Sequence, residues 1–179
     1  MSRPNKTKEN SMYCKEHEHD ACGVGCVVNI KGEKSHQIVF SALEMLENME
    51  HRGATGADSN TGDGAGILIQ IPHQFYKKEI PKLPKQGKYG VAMLFFPQHK
   101  AIREKCKEVI NSCVKKMSFD LITYRNVPTD TFAIGHESRS VEPFVEQFFV
   151  QHSNTKLTSG ELERKLFILG SLITHQIRS

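Results

Sequence analysis

The sequence predicts an α+β domain in which helices stack on a β-sheet, and three observations carry that expectation. Two stretches repeat apolar residues every three to four positions, as amphipathic helices do, and they are separated by short apolar runs that stop at Pro or Gly, as strands do. The length of 179 residues suits one core and is short for two domains. Apolar content of 38% and charged content of 25% are those of an ordinary globular chain.

Residues 1–21 are polar and are expected to form a leader apart from a domain over residues 22–179. The run Gly25 to Ile30, closed by Lys31-Gly32, reads as a strand. From Ser35 the period changes, and Ile38, Ala42, Leu43, Leu46 and Met49 share a helical face, with Ser35 as N-cap and Gly53 as the C′ residue. A glycine-rich loop, GATGADSNTGDGAG, then leads into ILIQIP, a strand stopped by Pro72. YGVAMLFFP is the clearest strand, ended by Pro97. HKAIREKCKEVINSCVKKM is a second helix, with Ile102, Cys106, Val109, Ile110, Cys113, Val114 and Met117 on one face. FDLITYRNVP, EPFVEQFFVQ and ERKLFILG read as strands. Tight packing is expected from Cys22 to Phe96 and looser packing towards residue 179.

Charge narrows the function classes. The net charge is +4, and basic residues come in pairs such as Lys77-Lys78 and Lys115-Lys116, without the runs of a nucleic-acid surface. No apolar run approaches the roughly 18 residues that span a membrane. The leader lacks an apolar segment for secretion, and Glu16, Glu18 and Asp20 are foreign to transit peptides. A cytoplasmic location with no nucleic-acid or membrane partner is therefore expected. Five cysteines, an odd number without framework spacing, suit a reducing compartment. Cys106 and Cys113 are about 10 Å apart along one helix, too far for a disulfide, and read as core thiols.

Three groups of residues invite chemistry. Cys14, His17, His19, Cys22 and Cys26 are dense enough for zinc, but on a strand Cys22 and Cys26 would lie about 13 Å apart, too far to share one ion. The glycine-rich loop lacks the Gly-Lys-Ser/Thr ending of a phosphate cradle, and Ile69 stands where a calcium loop needs its glutamate. Arg52, at the entrance to that loop, offers a planar clamp for a carboxylate or an ordinary helix-end cation.

Cys22 is the third. It begins the expected strand between Ala21 and Gly23, directly after the leader. It reads either as a structural thiol or as a nucleophile. Cleavage before it would free an α-amine, with a reference pKa near 8, as base for its own thiol.

These residues also carry a family resemblance. CGVGCVVNIKGEKSH, MEHRGATGADSNTGDGAGILIQIPHQF, YGVAMLFFP, VPTD, EPFVEQFFV and LERKLFIL occur in the order found in the N-terminal glutaminase domain of glutamate synthase large chains. That domain is a class II glutamine amidotransferase of the N-terminal nucleophile type. The resemblance covers residues 13–169, and GSLITHQIRS beyond it is unlike the family. It implies a partial αββα four-layer sandwich, with residues 1–21 lost as a propeptide. Cys22 is implied as the nucleophile, attacking the side-chain amide of glutamine and leaving a thioester for water. Arg52 and Gly53 are implied beside the glutamine pocket. The implied partner is a synthase domain of the full-length chain, where ammonia adds to 2-oxoglutarate and FMN and an iron–sulfur cluster supply reduction. No cofactor or metal is expected in the present segment.

Two departures qualify the resemblance. Cys26 replaces an aromatic residue common in the family. The family's oxyanion hole uses a downstream Asn-Gly pair, whereas Asn111, Asn126 and Asn154 precede other residues. The expectation is a C-terminally truncated domain, inactive alone. The alternatives are a non-catalytic fragment and a small zinc-binding module around residues 14–26.

Overall fold

The computed structural model describes residues 23–50, 53, 58, 60–62 and 64–178. The chain divides into two compact units, Met1–Leu68 and Ile69–Ser179.

In the first unit the expected helix is present as α1, His36–Asn48. Ser35 holds the N-cap position in extended backbone, though its side chain makes no capping bond. Ile38, Ala42, Leu46 and Met49 are half-buried as the period requires, while Leu43 remains exposed. The helix stops earlier than expected. Met49 is its C-cap, and Gly53 instead closes a separate turn by donating its N–H to Glu50 O at 3.0 Å.

Neither strand expected in residues 23–72 forms. Gly25 to Ile30 has no ladder, and Leu68, Ile69 and Ile71 are exposed in irregular backbone. β-propensity is expressed only when another strand takes up the N–H and C=O groups, and the described residues supply none here. The turn at Lys31-Gly32 is real: Gly32 N–H bonds Asn29 O at 2.9 Å, and Gly32 takes a φ of 71°. The Asn29 side chain fastens it by accepting the Lys31 N–H at 2.8 Å.

The second unit holds the core, reversing the expected gradient of packing. Every buried residue among those described lies at or beyond Tyr76. Its elements are α2 (His73–Glu79), β1 (Gly90–Phe96), α3 (Lys100–Lys116), β2 (Phe119–Asn126), α4 (His136–Ser140), β3 (Phe144–His152) and α5 (Ser159–Arg178). The three strands form an antiparallel sheet in the order β1-β3-β2. Phe148 of β3 lies between Ala92 and Tyr124, and Phe149 between Val91 and Thr123.

One sheet face meets α3 and α5. Phe96, Phe148 and Val150 pack there with Ile110, Cys113, Val114, Leu162, Leu169 and Ile173. Cys113 is buried and Cys106 packs against the same cluster, as expected of core thiols. The opposite face receives α2 through Tyr76, Ile80, Leu83, Tyr89 and Phe149. Farther along that face, Met93 and Phe95 are exposed.

The segment ERKLFILG is helical, correcting the expected strand. Leu162, Leu166, Leu169 and Ile173 are spaced by four, three and four, and all meet the core. A capping box starts the helix: Glu161 Oε2 accepts the Thr158 N–H at 2.8 Å, and Thr158 Oγ1 accepts the Glu161 N–H at 3.4 Å. That bonding holds the Glu161 carboxyl below its usual range. α2 and α4 were also unforeseen. They are short, with seven and five residues, and α2 is fixed by tertiary contacts.

Candidate active site

Of the three site residues expected from the sequence, Cys22 and Arg52 lie outside the described residues. Gly53 is described, is exposed, and makes the turn bond to Glu50. Their described neighbours are informative. A Cβ built on Gly23 would lie 2.9 Å from Met49 Sδ, and one built on Gly25 would lie 2.8 Å from Met45 Cε. The segment of residues 23–25 thus lies against Met45 and Met49 of α1. It can do so because residues 23 and 25 have no side chains.

Within the glycine-rich stretch, Asp58 bonds two described neighbours. Asp58 Oδ1 accepts the Asn60 N–H at 3.0 Å, and Asp58 Oδ2 accepts the Thr61 hydroxyl at 2.8 Å. Asp63 lies outside the described residues.

Cys26 is an exposed free thiol. Because residues 23–29 do not form a strand, the extended spacing used above against a shared zinc loses its premise. Cys14, His17, His19 and Cys22 lie outside the described residues. Among the described residues, no three His, Cys, Asp or Glu side chains gather as a metal site. No helix there is long and apolar enough to cross a membrane.

The three asparagines downstream of the loop serve the fold. Asn111 Oδ1 accepts the Tyr124 hydroxyl at 3.0 Å, Asn126 ends β2, and Asn154 Oδ1 accepts the Lys156 N–H at 3.0 Å. Two polar networks in the second unit were not foreseen. Lys107 Nζ straddles the buried Glu146 carboxylate, 3.0 Å from Oε1 and 2.7 Å from Oε2. On the other sheet face, Arg125 donates to Glu79 and to Gln147 Oε1, and Gln147 Nε2 donates to Tyr76 Oη at 2.7 Å. The Arg125 bond holds the Glu79 carboxyl below its usual range. Charged residues within apolar runs, such as Glu146 in FVEQFFV, were the available signal. Such a residue is buried only with a partner, and the partner comes from another element.

Comparison with known proteins identifies the family. The profile of the class-II glutamine amidotransferases matches residues 22–179, including the C-terminal segment GSLITHQIRS that had looked unlike the family. The chain is similar to the glutamate synthase (NADPH) large chain of Bacillus subtilis (strain 168), 39% identical over 164 residues, 90% of this chain and 11% of that protein. It is 38% identical over 175 residues to the ferredoxin-dependent glutamate synthase of Pyropia yezoensis, covering 96% of this chain and 11% of the other. It is 40% identical over 148 residues to the glutamate synthase (NADH) of Saccharomyces cerevisiae (strain ATCC 204508 / S288c), covering 78% of this chain and 7% of that protein. The chain spans about a tenth of the length of these relatives or less. With the family match running from Cys22 through α5, the chain belongs to the class-II glutamine amidotransferases.

Proposed function

We propose that this chain is the glutamine-hydrolysing part of a glutamate synthase, with Cys22 as its nucleophile after loss of residues 1–21. The observation that carries the proposal is that the family match opens on Cys22 itself. A free α-amine on Cys22 takes the thiol proton as the sulfur attacks the side-chain carbonyl carbon of glutamine. The tetrahedral intermediate collapses with transfer of a proton to the amide nitrogen, which leaves as ammonia. Water then cleaves the thioester to give glutamate and the free thiol. Holding nucleophile and base on one residue removes most of the orientational cost.

Arg52 binds the α-carboxylate of glutamine through its planar fork, and Gly53 lets the backbone approach the substrate. Arg52→Ala is expected to weaken glutamine use, and Arg52→Lys to restore little of it. Ammonia is passed to a synthase domain of the full-length chain. FMN and an iron–sulfur cluster belong to that domain's chemistry. A cluster needs gathered cysteine thiolates, and the described cysteines Cys26, Cys106 and Cys113 form no such set. No step proposed here passes through either group. Five cysteines without framework spacing suit a reducing, cytoplasmic setting.

The four-layer sandwich follows from the same reading. It is supported by the sheet face bearing exposed Met93 and Phe95, which a second sheet would bury. No asparagine after the glycine-rich loop precedes glycine, so residues 22–179 alone are not expected to turn over glutamine.

The test is ammonia release from glutamine by the full-length protein, with intact-mass analysis of its N-terminus. Cys22→Ala is expected to abolish release, and Cys26→Ala to leave most of it. A glutamine-like diazoketone should label Cys22 faster than Cys26, Cys106 or Cys113. Equal losses from the two substitutions in folded protein, or activity with Met1 retained, would overturn the assignment. Zinc found by mass spectrometry and lost on substitution of residues 14–26 would favour the zinc-binding module instead.

A further inference from the structure

The sheet of the second unit has two edges, and they are unlike. β1 and β2 each pair antiparallel with β3, so they are parallel to one another, with α3 as the crossover between them. β3 is followed by α5, which packs on the same sheet face as α3. Crossovers between parallel strands of one sheet are right-handed. α3 carries the chain from β1 past β3 to β2. Because β3 points the other way, a crossover of the same hand through α5 carries the chain in the opposite direction, past β1. A strand that follows α5 therefore belongs on the outer side of β1 and not beside β2.

The backbone of β3 fixes which groups of β1 face that side. Val145 O accepts the Val127 N–H at 3.1 Å, and the Ser153 N–H bonds Ser118 O at 2.9 Å, so odd-numbered residues of β3 bond on the β2 side. Bonding alternates along a strand, so Phe144, Glu146, Phe148 and Val150 bond their partners Phe96, Leu94, Ala92 and Gly90. That turns the N–H and C=O groups of Val91, Met93 and Phe95 to the outer edge, where no described residue bonds them. β1 has no charge, proline or bulge to keep an edge from pairing. β2 has a register shift between Leu121 and Thr123, and the charged residues Asp120 and Arg125.

The lengths agree. Leu166, in the first half of α5, lies against Gly90 at the start of β1. The 20 residues of α5 span about 30 Å, as do the nine of β3, so the helix brings the chain back towards the Phe96 end. From there a strand returns antiparallel to β1.

We propose that the outer edge of β1 is the docking edge for the strand that follows α5 in the full-length protein, bound antiparallel through the backbone of Val91, Met93 and Phe95. The relatives have chain to supply it, since the 164 matched residues are 11% of the Bacillus subtilis protein. The segment that fits is extended, about five to seven residues long, and apolar where it flanks Met93 and Phe95, which are 46% and 69% exposed. The inference is independent of Cys22, and turnover is not its readout.

The experiment is amide hydrogen exchange in the full-length protein, resolved to single residues. The Val91, Met93 and Phe95 amides are expected to exchange about as slowly as those of Ala92 and Leu94, at least about 100-fold slower than unpaired edge amides. The Tyr124 amide is the control. Tyr124 pairs with Phe148, whose own groups bond β1, so its N–H faces the outer edge of β2 and should stay fast. Protection of the three β1 amides should persist on dilution. Proline placed in turn along the first extended segment after α5 should release them at alternate positions.

Fast exchange at all three amides in folded protein overturns the inference. Protection lost on dilution assigns the edge to a second copy and overturns it too. So does protection that no proline releases, which assigns the edge to another part of the chain. Slow exchange at Tyr124 with fast exchange at Val91 places the strand on the other edge and refutes the handedness argument.

Discussion

Replacing Lys107 by methionine isolates the electrostatic contribution of the contact that ties α3 to the sheet. Glu146 is the third residue of β3, paired across the ladders with Leu94 and Asn126, and is only 5% exposed. Lys107 reaches it from α3, with Nζ 2.7 Å from Oε2, and the ammonium also lies 4.9 Å from the Tyr124 ring centroid. Methionine keeps most of the apolar stem, so packing changes little and the lost charge dominates. The carboxylate left behind is buried without its cation. Breaking such a pair from one side costs about 3–5 kcal/mol. Lys107 keeps some contact with solvent, so the lower end, about 3 kcal/mol, is the expected loss.

The companion variant, Lys107→Met with Glu146→Leu, removes both charges. It should unfold within about 1 kcal/mol of the parent, because a buried pair is seldom more stabilising than well-packed apolar groups. The assay is urea unfolding of the full chain at neutral pH, followed by circular dichroism, with the slope checked for constancy. A loss below about 1 kcal/mol in the single variant would show that water reaches Glu146 and that the pair is not a buried one. Failure of the double variant to recover would show that Lys107 acts through its stem rather than its charge.

Three further outcomes are expected. Gly90→Ala should destabilise by about 1–3 kcal/mol in the same assay, because its Cβ would lie 3.0 Å from Leu166 Cδ1 and closer still to Cδ2, so the Leu166 side chain must repack. Ser118→Gly should stabilise by about 0.5–1 kcal/mol. Ser118 follows the C-cap of α3 with a φ of 57°, a conformation glycine takes without strain. The third concerns alkaline pH. Burial, then Glu146 and Glu104, push the Tyr124 phenol up to about 12. A raised phenol favours the neutral form in the folded state, so this stability is complete below about pH 10 and is lost as pH rises from there through 12. Allowing for a half-exposed ring, the loss should be about 1 kcal/mol, seen as a falling urea midpoint that is flatter in Tyr124→Phe.

Residues with a local reason for their conformation were legible from sequence. α1 and α3 follow from apolar residues at three- and four-residue spacing, and β1, β2 and β3 from apolar runs bounded by Pro, Gly and turn residues. The turn at Gly32 follows from glycine and from the Asn29 side chain. The motifs around Cys22 and Arg52, read in order, pointed to the family that the matched profile identifies.

Other features depend on partners distant in sequence. ERKLFILG has too short an apolar run to separate strand from helix by itself. What decides it is a stripe extending to Ile173 that meets α3 and the sheet, together with the Thr158 cap. Residues 25–30 and 67–71 have strand composition, yet an isolated strand leaves its hydrogen-bonding groups unpaired, so composition alone could not make them strands. Glu146 is an ordinary acid in the sequence and becomes a structural one only because α3 crosses β3 at Lys107. Gly23 and Gly25 look like flexible positions until α1 is laid beneath them. Local periods, the turn at Gly32 and the family could each be read from one stretch of residues at a time. Tertiary structure decided which runs found partners, because pairing, burial and close approach are properties of two segments and cannot be read from one.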